Sequence, residues 1–188
     1  MRAVLAVLAS AMVMQAAGSR PIALHIRVFD GGDEVTAQSR IAVFKAGDRE
    51  SPVHGSDGVF MVPPGFYDAQ VIREKDGNVA GIRWAEHLVV QAYPDESGTH
   101  LEVVNLQSGF GALEVRGGAG AVPDAALFAR HARDREIAHR IDGGDDALFV
   151  VPAGVYDLRI TENGHVSWHP EIEVPADRTR FVLARQLK

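Results

Sequence analysis

The chain has 188 residues, of which 46% are hydrophobic and 23% charged, and it contains no cysteine. This composition is typical of a globular protein and excludes disulfides, thiolate chemistry and a lipid-modified cysteine. The formal net charge of −6 disfavours binding to nucleic acid phosphates or anionic lipid headgroups.

Residues 1–18 are predicted to be a secretory signal peptide. Arg2 precedes an apolar run that ends in the small residues Ala16, Ala17 and Gly18. The run is too short to span a bilayer comfortably, and no second apolar run follows it. The absence of cysteine fits a bacterial periplasm or exterior better than a small eukaryotic secreted module. We therefore expect a periplasmic or secreted bacterial protein without a stable membrane span after signal removal.

Runs of alternating apolar and polar residues predict β-strands from residue 22 onward. In the first part of the chain these runs cover 22–28, 41–44, 59–62, 67–75, 88–90 and 101–106. Turns rich in aspartate and glycine separate them, beginning with Asp30-Gly31-Gly32-Asp33. The pattern predicts an all-β fold.

A proline-glycine corner follows the third run. Pro63 ends a strand because proline lacks an N–H donor, and Gly65 permits the positive φ that an abrupt reversal often needs. Alternation starts again at Tyr67, which we expect to bury its ring and to return its hydroxyl to nearby backbone, as in a tyrosine corner. The same residue types recur 89 positions later, at Pro152, Gly154 and Tyr156.

This recurrence extends to the flanking segments. Residues 62–68 read VPPGFYD and residues 151–157 read VPAGVYD, and matching apolar runs precede and follow both stretches. We therefore predict two tandem Ig-like or transthyretin-like β-sandwich units from an internal duplication, covering 19–107 and 108–188. The joint at 107–111 is short, so the units should be closely coupled.

The first hairpin is predicted from Asp76-Gly77, a strong two-residue turn signal. A turn there places Val71 opposite Ile82 and Ala69 opposite Trp84. All these apolar residues would then share one face of the sheet, so we expect Trp84 to be buried in the core.

The second hairpin requires a different turn on the same reasoning. A two-residue turn would put Trp168 opposite Arg159, on the face away from the core. A three-residue loop at 162–164 instead pairs Ile160 with Val166 and Leu158 with Trp168. This register predicts that Trp168 is also a core residue.

Residues 125–140 are rich in alanine, arginine and glutamate, which favours a helix by intrinsic propensity. The segment nevertheless occupies the position of the second strand of the first unit, with Leu127-Phe128 in place of Val43-Phe44. Because tertiary context often overrides propensity, we predict a strand here.

One pattern resembles known families. It consists of Asp57-Gly58-x-Phe60-x-Val62-Pro63-Pro64-Gly65-x-Tyr67. It is similar to the carboxypeptidase regulatory-like, transthyretin-like β-sandwich domains, and to collagen-adhesin B-type and PEGA-like modules. The second unit departs from it, because Asp146-Ala147 replaces Asp-Gly. The resemblance implies a seven-strand accessory sandwich that is commonly non-catalytic, and it carries over no active-site residues.

Metal sites are not expected. His165, His169 and Glu171 have no recognised ligand spacing, and we interpret the histidines as solvated surface residues. The acidic clusters at 30–34 and 142–146 do not follow the order of a calcium loop and are interpreted as ordinary turns. No cofactor is predicted.

No nucleophile, phosphate-binding or dinucleotide motif is present in the sequence, so an enzyme is not expected. The favoured hypothesis is a non-catalytic exported protein-interaction or structural module that contacts an envelope or extracellular protein, by loops or by strand addition. The alternative is a carbohydrate or small-ligand binding module. Its exposed aromatic residues would have to be Phe29, Phe66, Phe110 and Tyr93.

Overall fold

The computed structural model describes residues 20–91, 98–117, 124–141, 147–162, 164–184 and 187. Over these ranges the chain folds into β-sheets, which confirms the all-β prediction. The N-terminal half contains β1 (Ile22–Asp30), β2 (Asp33–Glu34), β3 (Ser39–Lys45), β4 (Gly55–Ser56), β5 (Val59–Val62), β6 (Gly65–Lys75), β7 (Asn78–Val90) and β8 (Thr99–Asn105). The C-terminal half contains β9 (Phe110–Arg116), β10 (Asp124–Ala129), β11 (Ala132–His139), β12 (Ala147–Pro152), β13 (Gly154–Glu162), β14 (His165–Val174) and β15 (Thr179–Leu183).

The N-terminal half is a sandwich of two sheets. In one sheet β1 pairs antiparallel with β5 and β2 and parallel with β8, while β4 extends β5. The other sheet has the order β3-β6-β7. Alternate residues of β1 point between the sheets, where Leu24, Ile26 and Val28 are fully buried. The period of two along each strand therefore builds this core.

The C-terminal half has the same kind of pairing. β9 lies between the antiparallel β12 and the parallel β15, and the facing sheet has the order β11-β10-β13-β14. Its core contains Leu113, Leu127, Phe149 and Leu158, all fully buried. Origin by duplication and the domain boundaries stay predictions. The segment 1–18, which is predicted to be a signal peptide, lies outside the described residues.

The segment 125–140 is extended, as the sequence position predicts, but it forms a hairpin of β10 and β11. Among the described strands β11 pairs only with β10, through two register shifts, and most of its residues are exposed. The tertiary partner therefore overrides the helix propensity of its alanine, arginine and glutamate residues.

Both tyrosine corners are present. The Tyr67 ring is buried and its hydroxyl donates to the carbonyl of Pro63 at 2.8 Å. Tyr156 packs against the second core and donates to the carbonyl of Pro152 at 2.6 Å. Each proline thus ends a strand and also accepts the hydrogen bond that fixes the tyrosine.

The role predicted for the corner glycines is wrong. Gly65 and Gly154 do not adopt positive φ. A Cβ at Gly65 would lie 3.5 Å from the Tyr67 ring, and one at Gly154 would lie 3.4 Å from the Tyr156 ring. These are ordinary van der Waals distances, so neither a positive φ nor a close approach explains the two glycines.

The predicted register of the first hairpin is wrong, although its two-residue turn is present between Lys75 and Asn78. Register shifts pair Ala69 with Ala85 and Gln70 with Trp84. Since β6 residues of the other parity face the core, Trp84 lies on the outer face of the sheet.

The predicted register of the second hairpin is also wrong, and its tryptophan also lies on the outer face. Glu162 pairs with His165, so the loop has two residues, and Trp168 lies opposite Arg159. Trp168 is half-buried on the outer face, and His169 takes the core-facing place opposite Leu158. The register that the sequence reasoning rejected is the one the structure adopts.

The two sandwiches pack against each other through the outer faces of the β1 and β9 sheets. A third apolar cluster lies between them and contains Phe29, Val103, Ala112, Leu148 and Val150. Polar contacts surround it: the Val103 N–H donates to Thr179 Oγ1 at 2.8 Å, and Arg83 pairs with Asp177 at 2.5 Å. The two halves are therefore joined by a buried contact as well as by the short joint.

Candidate functional site

A groove of about 720 Å³ opens at one side of the N-terminal sandwich, between β3 and the β4–β5 hairpin. Its lining comes from the segment before β3, from β3 itself and from the hairpin: Glu34, Thr36, Ala37, Ser39, Arg40, Ile41, Gly55, Ser56, Asp57, Gly58 and Phe60. Phe60 is buried and Ile41 packs against the same core. The groove therefore reaches apolar side chains between the two sheets.

Two glycines shape the wall formed by the hairpin. Gly58 has a φ of +78°, and a Cβ there would lie 2.5 Å from the Ile26 carbonyl oxygen. A Cβ at Gly55 would lie 2.3 Å from the Phe60 ring. Any side chain at either position would displace the hairpin, so this wall is made of backbone and of small polar residues.

The rim of β3 presents unpaired backbone groups. The Val53 N–H donates to the Val43 carbonyl at 2.7 Å, on the side of β3 away from β6. Ile41 is two residues earlier, so its N–H and C=O point to the same side. Among the described residues these two groups have no backbone partner. β3 is therefore an open edge next to the groove.

Ion pairs hold the charged residues around the groove. Arg27 donates to Glu34 at 2.5 Å, and the hydrogen bond from Arg27 lowers the pKa of the Glu34 carboxyl. Arg40 pairs with Glu74 at 2.8 Å. The lining residues Glu34 and Arg40 are thus both engaged in ion pairs.

The residues that the sequence singled out lie outside this groove. Pro63, Gly65 and Tyr67 build one corner, as Pro152, Gly154 and Tyr156 build the other. Trp84 and Trp168 lie on outer faces. The open edge at Ile41 left no sequence signal beyond the strand pattern itself, because the pattern does not show which edges are paired.

Sequence reasoning also missed Asp68 and Asp157, although both belong to the repeated stretch. Asp68 accepts the backbone N–H groups of His87 at 2.9 Å and Gly47 at 3.3 Å. Asp157 accepts those of Glu171 at 3.1 Å and His131 at 2.9 Å. Burial alone would raise the pKa of the Asp157 carboxyl. The two hydrogen bonds and the nearby cations outweigh burial, so the pKa lies below its usual value. The sequence signal that could have found them is that an aspartate ends both repeated stretches, 62–68 and 151–157.

The interpretation of all histidines as surface residues is wrong for two of them. His100 is 5% exposed and its Nε2 lies 3.0 Å from Glu102. His169 is 7% exposed, and burial lowers its pKa. The bulge on each tryptophan strand shifts the parity, which brings His169 to the core-facing side.

Ser167 and His169 lie within hydrogen-bond distance, with 3.0 Å between Oγ and Nε2. A nucleophile–base pair also needs a group that orients the second ring nitrogen. In the described part of the chain, His169 Nδ1 is buried without a hydrogen-bond partner. Burial lowers the pKa of His169, which makes this histidine a weaker base.

Metal binding finds no support in this geometry. Within the described ranges no three histidine or carboxylate side chains come together as a ligand set. In the first acidic cluster, Asp30 instead binds Gln107 at 2.9 Å and forms an ion pair with Arg73. The second cluster, at 142–146, lies outside the described residues.

The aromatic residues named for carbohydrate binding do not form a row. Phe29 is fully buried and Phe110 packs between the two halves, while Phe66 is 61% exposed. Tyr93 lies outside the described residues. The Trp84 and Trp168 rings are partly covered by arginines, at 4.2 Å for Arg49 and 4.9 Å for Arg133, so no free stacking platform is left there.

No protein-family model matches the chain, and no curated protein matches it. Among solved structures it is similar to the Bacillus anthracis TIE protein, with 16% identity and a TM-score of 0.29, over 88% of this chain and 33% of that one. It is also similar to the tip fimbrial protein Mfa3 from Porphyromonas gingivalis, with 14% identity and a TM-score of 0.31, over 87% of this chain and 94% of that one. The chain thus spans about a third of the TIE protein.

TM-scores of this size are too low to carry an argument about this chain. The resemblance to carboxypeptidase regulatory-like domains accordingly stays a prediction, and what the structure shows is an all-β sandwich. No helix in the described ranges has the length and apolar character needed to cross a membrane.

Proposed function

We propose that the chain is a non-catalytic, exported protein-interaction module that binds an extended segment of a partner protein beside β3. The observation that carries this proposal is the groove of about 720 Å³ next to the outward-pointing N–H and C=O of Ile41. A strand edge with unpaired groups is the surface to which an extended peptide adds.

The geometry limits the length of the added strand. Val53 already occupies the edge at Val43, so only Ser39 to Ala42 is open to a partner. Such a short edge gives few backbone hydrogen bonds. Specificity would then come from one apolar side chain of the peptide that reaches Ile41 and Phe60 at the base of the groove.

Export is supported by the composition of residues 1–18, which is that of a signal peptide. A periplasmic or secreted location and an envelope or extracellular protein partner follow from it. The covered tryptophans and the buried Phe29 give no specific support to a carbohydrate ligand.

The test is selection of peptides from a displayed library of random segments, using the purified mature chain. Selected peptides are then measured against Ala37→Trp and Ser56→Trp, two exposed positions in the groove lining. Each new indole fills the groove without entering the core, so we expect affinity to fall about tenfold or more. Asp134→Trp, exposed on β11, is the matched control and should bind as the original chain does.

Ile41→Pro tests the backbone contribution. Proline removes an N–H that points away from β6, so the β3–β6 ladder keeps its hydrogen bonds. Because proline also removes the side chain that packs against the core, Ile41→Ala is the matched control, and peptide binding should be weaker in Ile41→Pro than in Ile41→Ala. The proposal is rejected if no peptide is enriched, or if enriched peptides bind all the groove variants equally.

A further inference from the structure

Arginine and aromatic side chains form a matching group on the outer face of each tryptophan-bearing sheet. In the N-terminal half the Phe44 and Trp84 rings are 5.7 Å apart, and the Arg49 guanidinium lies 4.2 Å from the Trp84 ring. In the C-terminal half the Phe128 and Trp168 rings are 4.9 Å apart, and Arg133 lies 4.9 Å from Trp168. The two groups differ in how their arginines are neutralised.

In the N-terminal half, Glu86 forms an ion pair with the stacked Arg49. Glu86 directly precedes His87, the residue with a φ of 58° whose N–H binds Asp68. This carboxylate therefore completes the group on Trp84 from within the chain.

In the C-terminal half the corresponding position is Pro170. It directly precedes Glu171, which has a φ of 58° and donates its N–H to Asp157. The Glu171 side chain forms an ion pair with Arg130. Across the described residues, Arg133 therefore has no carboxylate within ion-pair distance. The charge of Arg133 helps to lower the pKa of Asp157, but both carboxylate oxygens of Asp157 already accept backbone N–H groups.

A second cation stands beside the same rings. Arg159 lies opposite Trp168, where the N-terminal half has Gln70 opposite Trp84. Its guanidinium is 5.2 Å from the Phe128 ring. The Arg159 Nε atom is buried, and within the described ranges it has no hydrogen-bond partner. The C-terminal group thus contains one carboxylate fewer and one guanidinium more than its counterpart.

We propose that the outer face of the β11-β10-β13-β14 sheet binds a carboxylate side chain of an acidic peptide segment at Arg133 and Arg159. The N-terminal half shows the occupant, because there a glutamate sits on the arginine that covers the tryptophan. A guanidinium held against a ring is oriented in advance, which lowers the entropic cost of pairing with a carboxylate. This site is separate from the groove and does not depend on it.

The test uses an oligoglutamate peptide with blocked termini as the probe, at low ionic strength, with an oligoglutamine peptide as the neutral comparison. Trp84→Phe leaves Trp168 as the reporter of binding by fluorescence. We expect the oligoglutamate to change that signal and the oligoglutamine to leave it unchanged. Added salt should weaken the binding, since exposed charges are screened.

Three variants locate the site. Arg133→Gln and Arg159→Gln should each weaken oligoglutamate binding, by about fivefold for one ion pair of this exposure. Pro170→Glu supplies the carboxylate that Glu86 supplies in the N-terminal half, so it should compete with the probe and abolish binding. Arg40→Gln, at an exposed position on β3 of the other half, makes the same change in net charge away from this site and is the control.

Thermal unfolding of each variant separates loss of binding from loss of fold. The proposal is overturned if oligoglutamate fails to bind, or if it binds Pro170→Glu and Arg133→Gln as tightly as it binds the original chain. An oligogalacturonate that binds where oligoglutamate does not would equally reject it, in favour of an acidic saccharide.

Discussion

The Asp68 carboxylate accepts the backbone N–H of His87 at 2.9 Å, and this contact holds the bulge that turns Trp84 away from the core. His87 has a φ of 58°, in the left-handed region that a residue with a β-carbon rarely adopts. Asp157 holds Glu171 in the same way. A side chain in one strand thus fixes the conformation, and the facing direction, of its neighbour.

Asp68→Ala should destabilise the N-terminal half. The change removes two hydrogen bonds from the backbone N–H groups of His87 and Gly47, each worth about 0.5–1.5 kcal/mol in net stability. We expect a lower denaturant midpoint and a change in the Trp84 fluorescence measured with Trp168→Phe. Asp33→Ala, at an exposed residue of β2, should change neither. Equal midpoints for the two variants would contradict this role for Asp68.

Tyr67→Phe removes the hydrogen bond to the Pro63 carbonyl and leaves the buried ring in place. We expect a loss of about 1 kcal/mol in the free energy of unfolding, the usual net value of one such bond. Tyr156→Phe should cost less, because Tyr156 is partly exposed and water replaces its partner more readily. Chemical denaturation of both variants checks the order. A larger loss at Tyr156 would argue against the explanation by burial.

His169 should make the stability of the chain depend on pH. Burial lowers its folded-state pKa below the reference value of 6.5, so the unfolded chain binds the proton more readily. The free energy of unfolding should therefore fall as the pH drops from about 7 to about 5, and less steeply in His169→Gln. His25 acts with the same sign, since burial and then Arg116 lower its pKa, so some dependence should remain.

The control for that experiment is His165→Gln, at an exposed position on the same strand. Its pH profile should follow that of the original chain. Parallel profiles for His169→Gln and the original chain would show that the buried ring does not set the dependence.

The two halves should unfold together. Leu148 is 1% exposed in the cluster between the sandwiches, and Leu148→Ala leaves a cavity there that costs about 2–5 kcal/mol. Because both halves share this cluster, the unfolding midpoints reported by Trp84 and by Trp168 should fall together. Trp168→Phe and Trp84→Phe isolate the two reporters. Two separate transitions would mean that the contact between the halves does not couple them.

The sequence predicted the strands and the corners because those features are local. The alternation along β1 predicts which of its residues point inward. The Tyr67 hydroxyl donates to the carbonyl of Pro63, only four residues earlier. The first register failed because bulges shift the pairing beyond the two-residue turn, and the second failed because Trp168 was assigned to the core as a large apolar residue. Each ring instead packs with an aromatic neighbour and an arginine on the outer face, as Trp84 does with Phe44 and Arg49.

By itself, the sequence determined which segments are extended and where the chain turns, since the period of two and the proline-glycine corners act over a few neighbouring residues. Only the tertiary structure decided which edges stay open and which faces are covered. Among the residues that the structure describes, Ile41 has unpaired backbone groups because no strand lies beside it, and Arg133 has no carboxylate partner because Pro170 stands at that bulge. Such features depend on contacts between distant segments, which a pattern read along one strand does not contain.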